Sequence, residues 1–134
     1  MTQSITEEAE ELFLSFFKPN SARRLSVLLQ KGGKGREKFR QALHTAKIDK
    51  RFENPVNGEA SSPHQLAESL KKDGAPSEVY VFSSESDLDN RKMPIEEAIG
   101  MAQSSFERVI VLGFPKKIAY FRESGIKGDF LLRR

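Results

Sequence analysis

The sequence predicts an α/β protein of the α+β kind, with N-terminal helices followed by β-α-β-β-β. Those strands are expected to form a mixed four-stranded sheet with helices packed on it. Two observations carry the prediction. Up to Gly74, apolar residues recur three or four positions apart, the period of a helix with one buried face. After it, "EVYVF", "ERVIVLG" and "KIAYFRE" are β-branched and aromatic on successive positions, as in strands covered on both faces. With 134 residues, 37% of them hydrophobic and ten of them Phe, the chain can fill one core. A single domain over 1–134 is expected, its helical part at 1–74 and its sheet part at 75–134.

The elements are justified in order. "SITE" (Ser4 to Glu7) has capping-box spacing, and Ile5, Ala9, Leu12, Phe13 and Phe16 then share one helical stripe, widened by Leu14 and Phe17. Pro19 ends that helix, because the residue before a proline avoids helical geometry. A second helix is expected to start at Asn20 or Ser21 as cap, with Ala22, Leu25, Leu28 and Leu29 inward. "KGGKG" interrupts it, and a third helix turns Phe39, Ala42, Leu43 and Ala46 inward. Residues 47–62 read as a connecting loop rich in turn formers. Ser62 caps a further helix with Pro63 at its first position and Gln65 three residues after the cap, and Gly74 terminates it.

"EVYVF" is the first expected strand, and "SSESDLDNRKM" a polar loop. Pro94 opens a helix carrying Ile95, Ala98, Ile99 and Ala102 on one side. "ERVIVLG" follows, so a strand–helix–strand crossover between near-neighbouring strands is expected. "FPKK" places Pro115 in a tight turn, "KIAYFRE" is a third strand, "SGIKGD" a loop and "DFLLRR" a fourth strand. The last three strands predict an antiparallel meander.

Charge is distributed unevenly. The net charge of +3 is the sum of −4 over residues 1–17, +9 over 18–52, −7 over 53–107 and +5 over 108–134. A basic segment of that density is a candidate surface for an acidic partner, unless it packs beside the acidic segment and is neutralised there. The candidate binding residues are Arg23, Arg24, Lys31, Lys34, Arg36, Lys38 and Arg40. An acidic protein is the favoured partner, as for an adaptor, inhibitor or antitoxin-like neutraliser. Nucleic acid is the alternative, with the same cations on phosphates and Arg40, Gln41 and His44 on the outer side of a helix-turn-helix. The phenylalanines weigh slightly against that alternative, since their core-like spacing leaves few to stack on bases.

The glycines of "KGGKGREK" do not make a nucleotide loop. No Ser or Thr follows a lysine, a helix rather than a strand precedes, and Lys38 stands where a dinucleotide motif needs its last glycine. A softer anion site at the start of the third helix, or a plain helix–helix connector, is what the stretch permits. A second motif is "ESDLDNRKMPIE", whose Glu85, Asp87, Asp89 and Glu96 fall at positions 1, 3, 5 and 12 of a calcium loop, with Asn90 where glycine is usual. The preceding strand, the cations Arg91 and Lys92, and Pro94 argue against it, and a solvated acidic loop is the plainer reading.

Catalysis is not expected. The chain has no cysteine, no nucleophile elbow and no paired histidines, since His44 and His64 stand apart. Were the Glu85, Asp87 and Asp89 cluster to hold magnesium, phosphoester hydrolysis would be the least implausible reaction. No cofactor is expected. Lys116, Lys117, Arg122, Lys127, Arg133 and Arg134 form a second basic set, read mainly as protection of an edge strand. The acidic start lacks a secretory pattern and no run approaches a membrane span, so a cytoplasmic protein away from membranes is expected.

Overall fold

The structure, a computed structural model, describes residues 5–56, 62–124 and 128–134. The described elements are α1 (Glu7–Ser15), α2 (Pro19–Gln30), α3 (Gly33–Thr45), a 3-10 turn (Lys50–Phe52), β1 (Glu53–Pro55), α4 (Pro63–Lys72), β2 (Glu78–Ser83), β3 (Arg91–Pro94), α5 (Ile95–Ser104), β4 (Val109–Leu112), β5 (Ile118–Arg122) and β6 (Asp129–Arg133). The fold is α+β. Among the described residues no helix is long and apolar enough to cross a membrane.

Helix boundaries follow capping chemistry. The Thr6 hydroxyl accepts from the Ala9 N–H at 3.2 Å and so caps α1; Ser4, the expected cap, lies outside the described residues. Pro19 is the first residue of α2 rather than a terminator outside it, a position where its missing N–H costs nothing. Neither Asn20 nor Ser21 caps that helix. Lys18 does so without a side-chain bond, and Ser21 instead accepts from the Lys47 N–H at 2.9 Å, tying the start of α2 to the end of α3. α4 matches expectation: Ser62 accepts from the Gln65 N–H at 3.1 Å, Pro63 is first, and Gly74 takes φ of +100°. Ala75 N–H then reaches the Leu70 carbonyl and Gly74 N–H the Lys71 carbonyl, so the freed C-terminal acceptors are used.

The sheet has six strands rather than four, in the order β1-β6-β5-β4-β2-β3, and every neighbouring pair is antiparallel. The expected mixed sheet is therefore corrected. β3 falls on the end of the expected polar loop and on Pro94, expected to open a helix, because a short edge strand with two adjacent cations and a proline carries no strand pattern. It reverses the chain before α5, so β2 and β4 meet antiparallel, as Phe82 opposite Ile110 shows. The strand–helix–strand crossover does exist, but it joins β3 to β4 with β2 between them. β1 lies in the stretch read as a connecting loop and as helical territory; it pairs Asn54 with Leu131 at the opposite edge, where its proline is tolerated. The meander of the last three strands is present as β4-β5-β6.

Helices cover both faces of the sheet. On one, α1, α2 and α3 bury Phe13, Phe16, Leu25, Phe39 and Leu43 against Phe82, Ile110, Leu112 and Phe121, with the Phe13 and Phe82 rings stacked at 3.9 Å. On the other, α4 and α5 bury Leu66, Leu70, Ile95 and Ile99 against Val79, Val81, Val109, Val111 and Tyr120. All four residues of β4 are buried. Each such side chain contributes about 1.5–3 kcal/mol over exposure, so the two helical layers explain why the central strands are apolar on successive positions.

Candidate partner-binding surface

The connection between α2 and α3 is only Lys31 and Gly32. Gly32 takes φ of +65°, which L side chains rarely adopt. Gly35 is buried, and a Cβ on it would stand 2.7 Å from both the Leu28 carbonyl oxygen and the Lys31 Cβ. The "KGGKG" stretch is thus a tight helical hairpin, in which the first turn of α3 presses on the last turn of α2.

That packing gives the hairpin an outer groove of about 650 Å³, lined by Asn20, Arg23, Arg24, Val27 and Leu28 of α2 and by Lys38 and Gln41 of α3. Val27 is 50% exposed in it. Arg23, Arg24 and Lys38, three of the sequence-predicted binding residues, are brought together here. Lys31 and Lys34 stand exposed at the turn end of the hairpin. Among the described residues, the side chains of these five cations make no hydrogen bond or ion pair.

The other flank of α3, one helical step away, is different. Arg36 is directed inward: its Nε donates to Asp89 Oδ2 at 2.6 Å, its Nη2 to Oδ1 at 2.8 Å, and its guanidinium lies 4.4 Å over the Phe39 ring. Asp89, whose side chain is 1% exposed, also accepts from the Ser83 N–H at 3.0 Å. Arg36 therefore ties α3 to the β2–β3 loop. Glu10 lies in the same field; burial raises its carboxyl pKa, and Arg36 partly offsets this. Arg40, half-buried, lines a second depression with His44, Ser84 and Glu107. His44 and Glu107 stand 3.4 Å apart there.

The acidic loop is dispersed. Asp89 serves Arg36, Glu96 meets His64 at 2.9 Å, and Glu85 accepts from the Ser105 hydroxyl at 3.4 Å. Glu85 and Asp87 share a cleft with Glu97 and Met101. Among the described residues no three His, Cys, Asp or Glu side chains are grouped to hold a metal ion. Asn90 does take the left-handed conformation, φ +64°, but it serves the β2–β3 connection, donating its N–H to the Val81 carbonyl at 2.9 Å.

The arginines of the second basic set are engaged, whereas Lys116 and Lys117 stand exposed with no side-chain hydrogen bond or ion pair among the described residues. Arg122 pairs with Asp129 at 2.7 Å, Arg133 with Asp73 at 2.6 Å, and Arg134 donates to the Ser15 carbonyl at 3.0 Å. Lys127 lies outside the described residues. β6 is not an edge strand, because β1 covers it, so the expected edge protection is corrected: the cations on an open edge are Arg91 and Lys92 of β3. Arg108 is buried. It meets Glu123 at 2.9 Å through Nε and Nη2, and its Nη1 donates to the Leu43 and Ala46 carbonyls at the C-terminus of α3, where a cation suits the helix dipole.

Sequence reasoning missed two exposed apolar residues, Val27 and the 79% exposed Phe106. Val27 had a legible signal, since it falls outside the Leu25, Leu28, Leu29 stripe of its own helix. Phe106 had none beyond its polar neighbours Ser105 and Glu107. No protein-family model, curated protein or solved structure matches the chain.

Proposed function

We propose that the protein is a non-enzymatic binding domain that engages an acidic protein through the outer face of the α2–α3 hairpin. One observation carries this reading: Arg23, Arg24 and Lys38 surround an open groove with no internal partner, while most arginines elsewhere are paired inside the fold. Unpaired cations of one sign on a rigid face raise the association rate of an acidic partner and select against basic ones. A protein is favoured over nucleic acid because the apolar residues lining the groove, Val27 and Leu28, are aliphatic, and the exposed aromatic Phe106 does not line it.

The test is fluorescence anisotropy of labelled polyglutamate and of labelled mixed-sequence oligonucleotides, titrated at several salt concentrations into the protein and into R23E/R24E/K38E. The reading expects polyglutamate binding that the triple reversal abolishes. Arg36 is left out of the reversal, because changing it would disturb the fold. Failure of polyglutamate to bind at low salt, or equal binding by the reversed protein, would refute the reading. Tighter oligonucleotide binding, with log affinity falling by about 0.7–0.9 per phosphate contacted against log salt, would replace it with nucleic-acid recognition.

A further inference from the structure

We infer that the occupant of the α2–α3 groove is a short acidic amphipathic helix, which seats aliphatic side chains on Val27 and sets its carboxylates against Arg23, Arg24 and Lys38. This rests on the reading above and sharpens it from an acidic protein to one kind of segment.

Three features select that segment. The rim is cationic and, among its described lining residues, holds no acid, so charge complementarity calls for carboxylates on both sides of the anchor. The apolar part of the lining is aliphatic, the half-exposed Val27 and the buried Leu28. An isolated half-exposed valine is ordinary on a surface; a valine that lines a groove together with three unpaired cations is available to receive an apolar group. The third feature is length. From Asn20 to Leu28 the groove follows α2 for roughly 12 Å, at about 1.5 Å per residue, which is about two helical turns. A groove between two packed helices takes a third helix through anchors spaced i and i+4.

The test compares two labelled glutamate-rich peptides of equal length and charge, one with leucines at i and i+4, the other with alanines there. The leucine peptide is expected to bind about tenfold tighter, the effect of partly burying the added methylenes. Val27→Ser should remove that gain and leave the alanine peptide unaffected. A proline between the leucines should also remove it, since proline breaks the helix. If both peptides bind equally well, the rim acts by charge alone: the inference fails while the proposed function stands. If neither binds, the proposed function fails with it. A leucine gain that survives Val27→Ser puts the anchor elsewhere, and one that survives the proline excludes a helical ligand; either result overturns the inference.

Discussion

Two basic regions of the chain look alike in composition and differ in the fold. Residues 18–52 and 108–134 each carry a net positive charge, +9 and +5. In the second, all four arginines, Arg108, Arg122, Arg133 and Arg134, reach a carboxylate or a carbonyl, and the described cations left over are Lys116 and Lys117, which line no groove with an arginine pair like that of α2. In the first, the side chains of Arg23, Arg24, Lys31, Lys34 and Lys38 reach none among the described residues, whereas Arg36, two positions before Lys38, is locked onto Asp89 and Arg51 pairs with its near neighbour Asp49. Charge density along a chain therefore overstates the free surface charge. What decides is whether a carboxylate or carbonyl lies within reach once the helices have packed. Paired cations hold the layers together, and unpaired ones remain for a partner.

The comparison breaks most visibly at Arg36. Arg36→Ala leaves the buried Asp89 carboxylate without its counter-ion and should destabilise the fold by about 3–5 kcal/mol in urea or thermal unfolding. A loss within the range of a surface substitution would return Arg36 to the free set. Gly35→Ala comes next, since its Cβ meets the Leu28 backbone. Overpacking of that kind costs about 1–3 kcal/mol, and the hairpin groove should distort with it, weakening peptide binding in the same variant. R23E/R24E/K38E should leave stability near wild type, with each exposed site changing it by no more than about 0.5 kcal/mol; circular dichroism melts check this.

The smallest effects are pH-dependent and of opposite sign. Arg51 hydrogen bonds hold the Asp49 carboxyl at about 2, below its ordinary 3.8. Its contribution is present above the ordinary value and is lost as pH falls through the folded one, so the melting difference between Asp49→Ala and wild type should fade between about 4 and 2. Burial raises the Glu10 pKa, so the folded state favours its proton and the ionised group opposes folding at neutral pH. Glu10→Gln should melt at or above wild type at neutral pH, with the advantage gone below the ordinary value of 4.5. A variant that melted lower at neutral pH would mean that attraction to Arg36 outweighs burial.

Much of this fold was legible in the sequence. Periodicity found the five helices, and apolar runs found β2, β4, β5 and β6, because burial on both faces leaves a pattern. β1 and β3 leave none. They are edge strands of three and four residues, held by backbone pairing to one neighbour, and their Glu53, Asn54, Arg91 and Lys92 read as loop. Missing β3 also made β2 and β4 look parallel. At the candidate surface, helical spacing places Lys34, Lys38 and Gln41 on one flank of α3 and Arg36, Arg40 and His44 on the other. Which flank would be covered depends on the β2–β3 loop, more than forty residues away in sequence, and no local pattern encodes that contact.

The most direct test of the central claim is a nitrogen–proton NMR titration of the labelled protein with the leucine-bearing acidic peptide. Shifts confined to Arg23, Arg24, Val27, Lys38, Gln41 and their neighbours would identify the unpaired cations of the α2–α3 hairpin as the binding surface. Shifts centred instead on Arg122, Arg133 and Arg134 would contradict it, because cations already engaged inside the fold would then be the ones that bind.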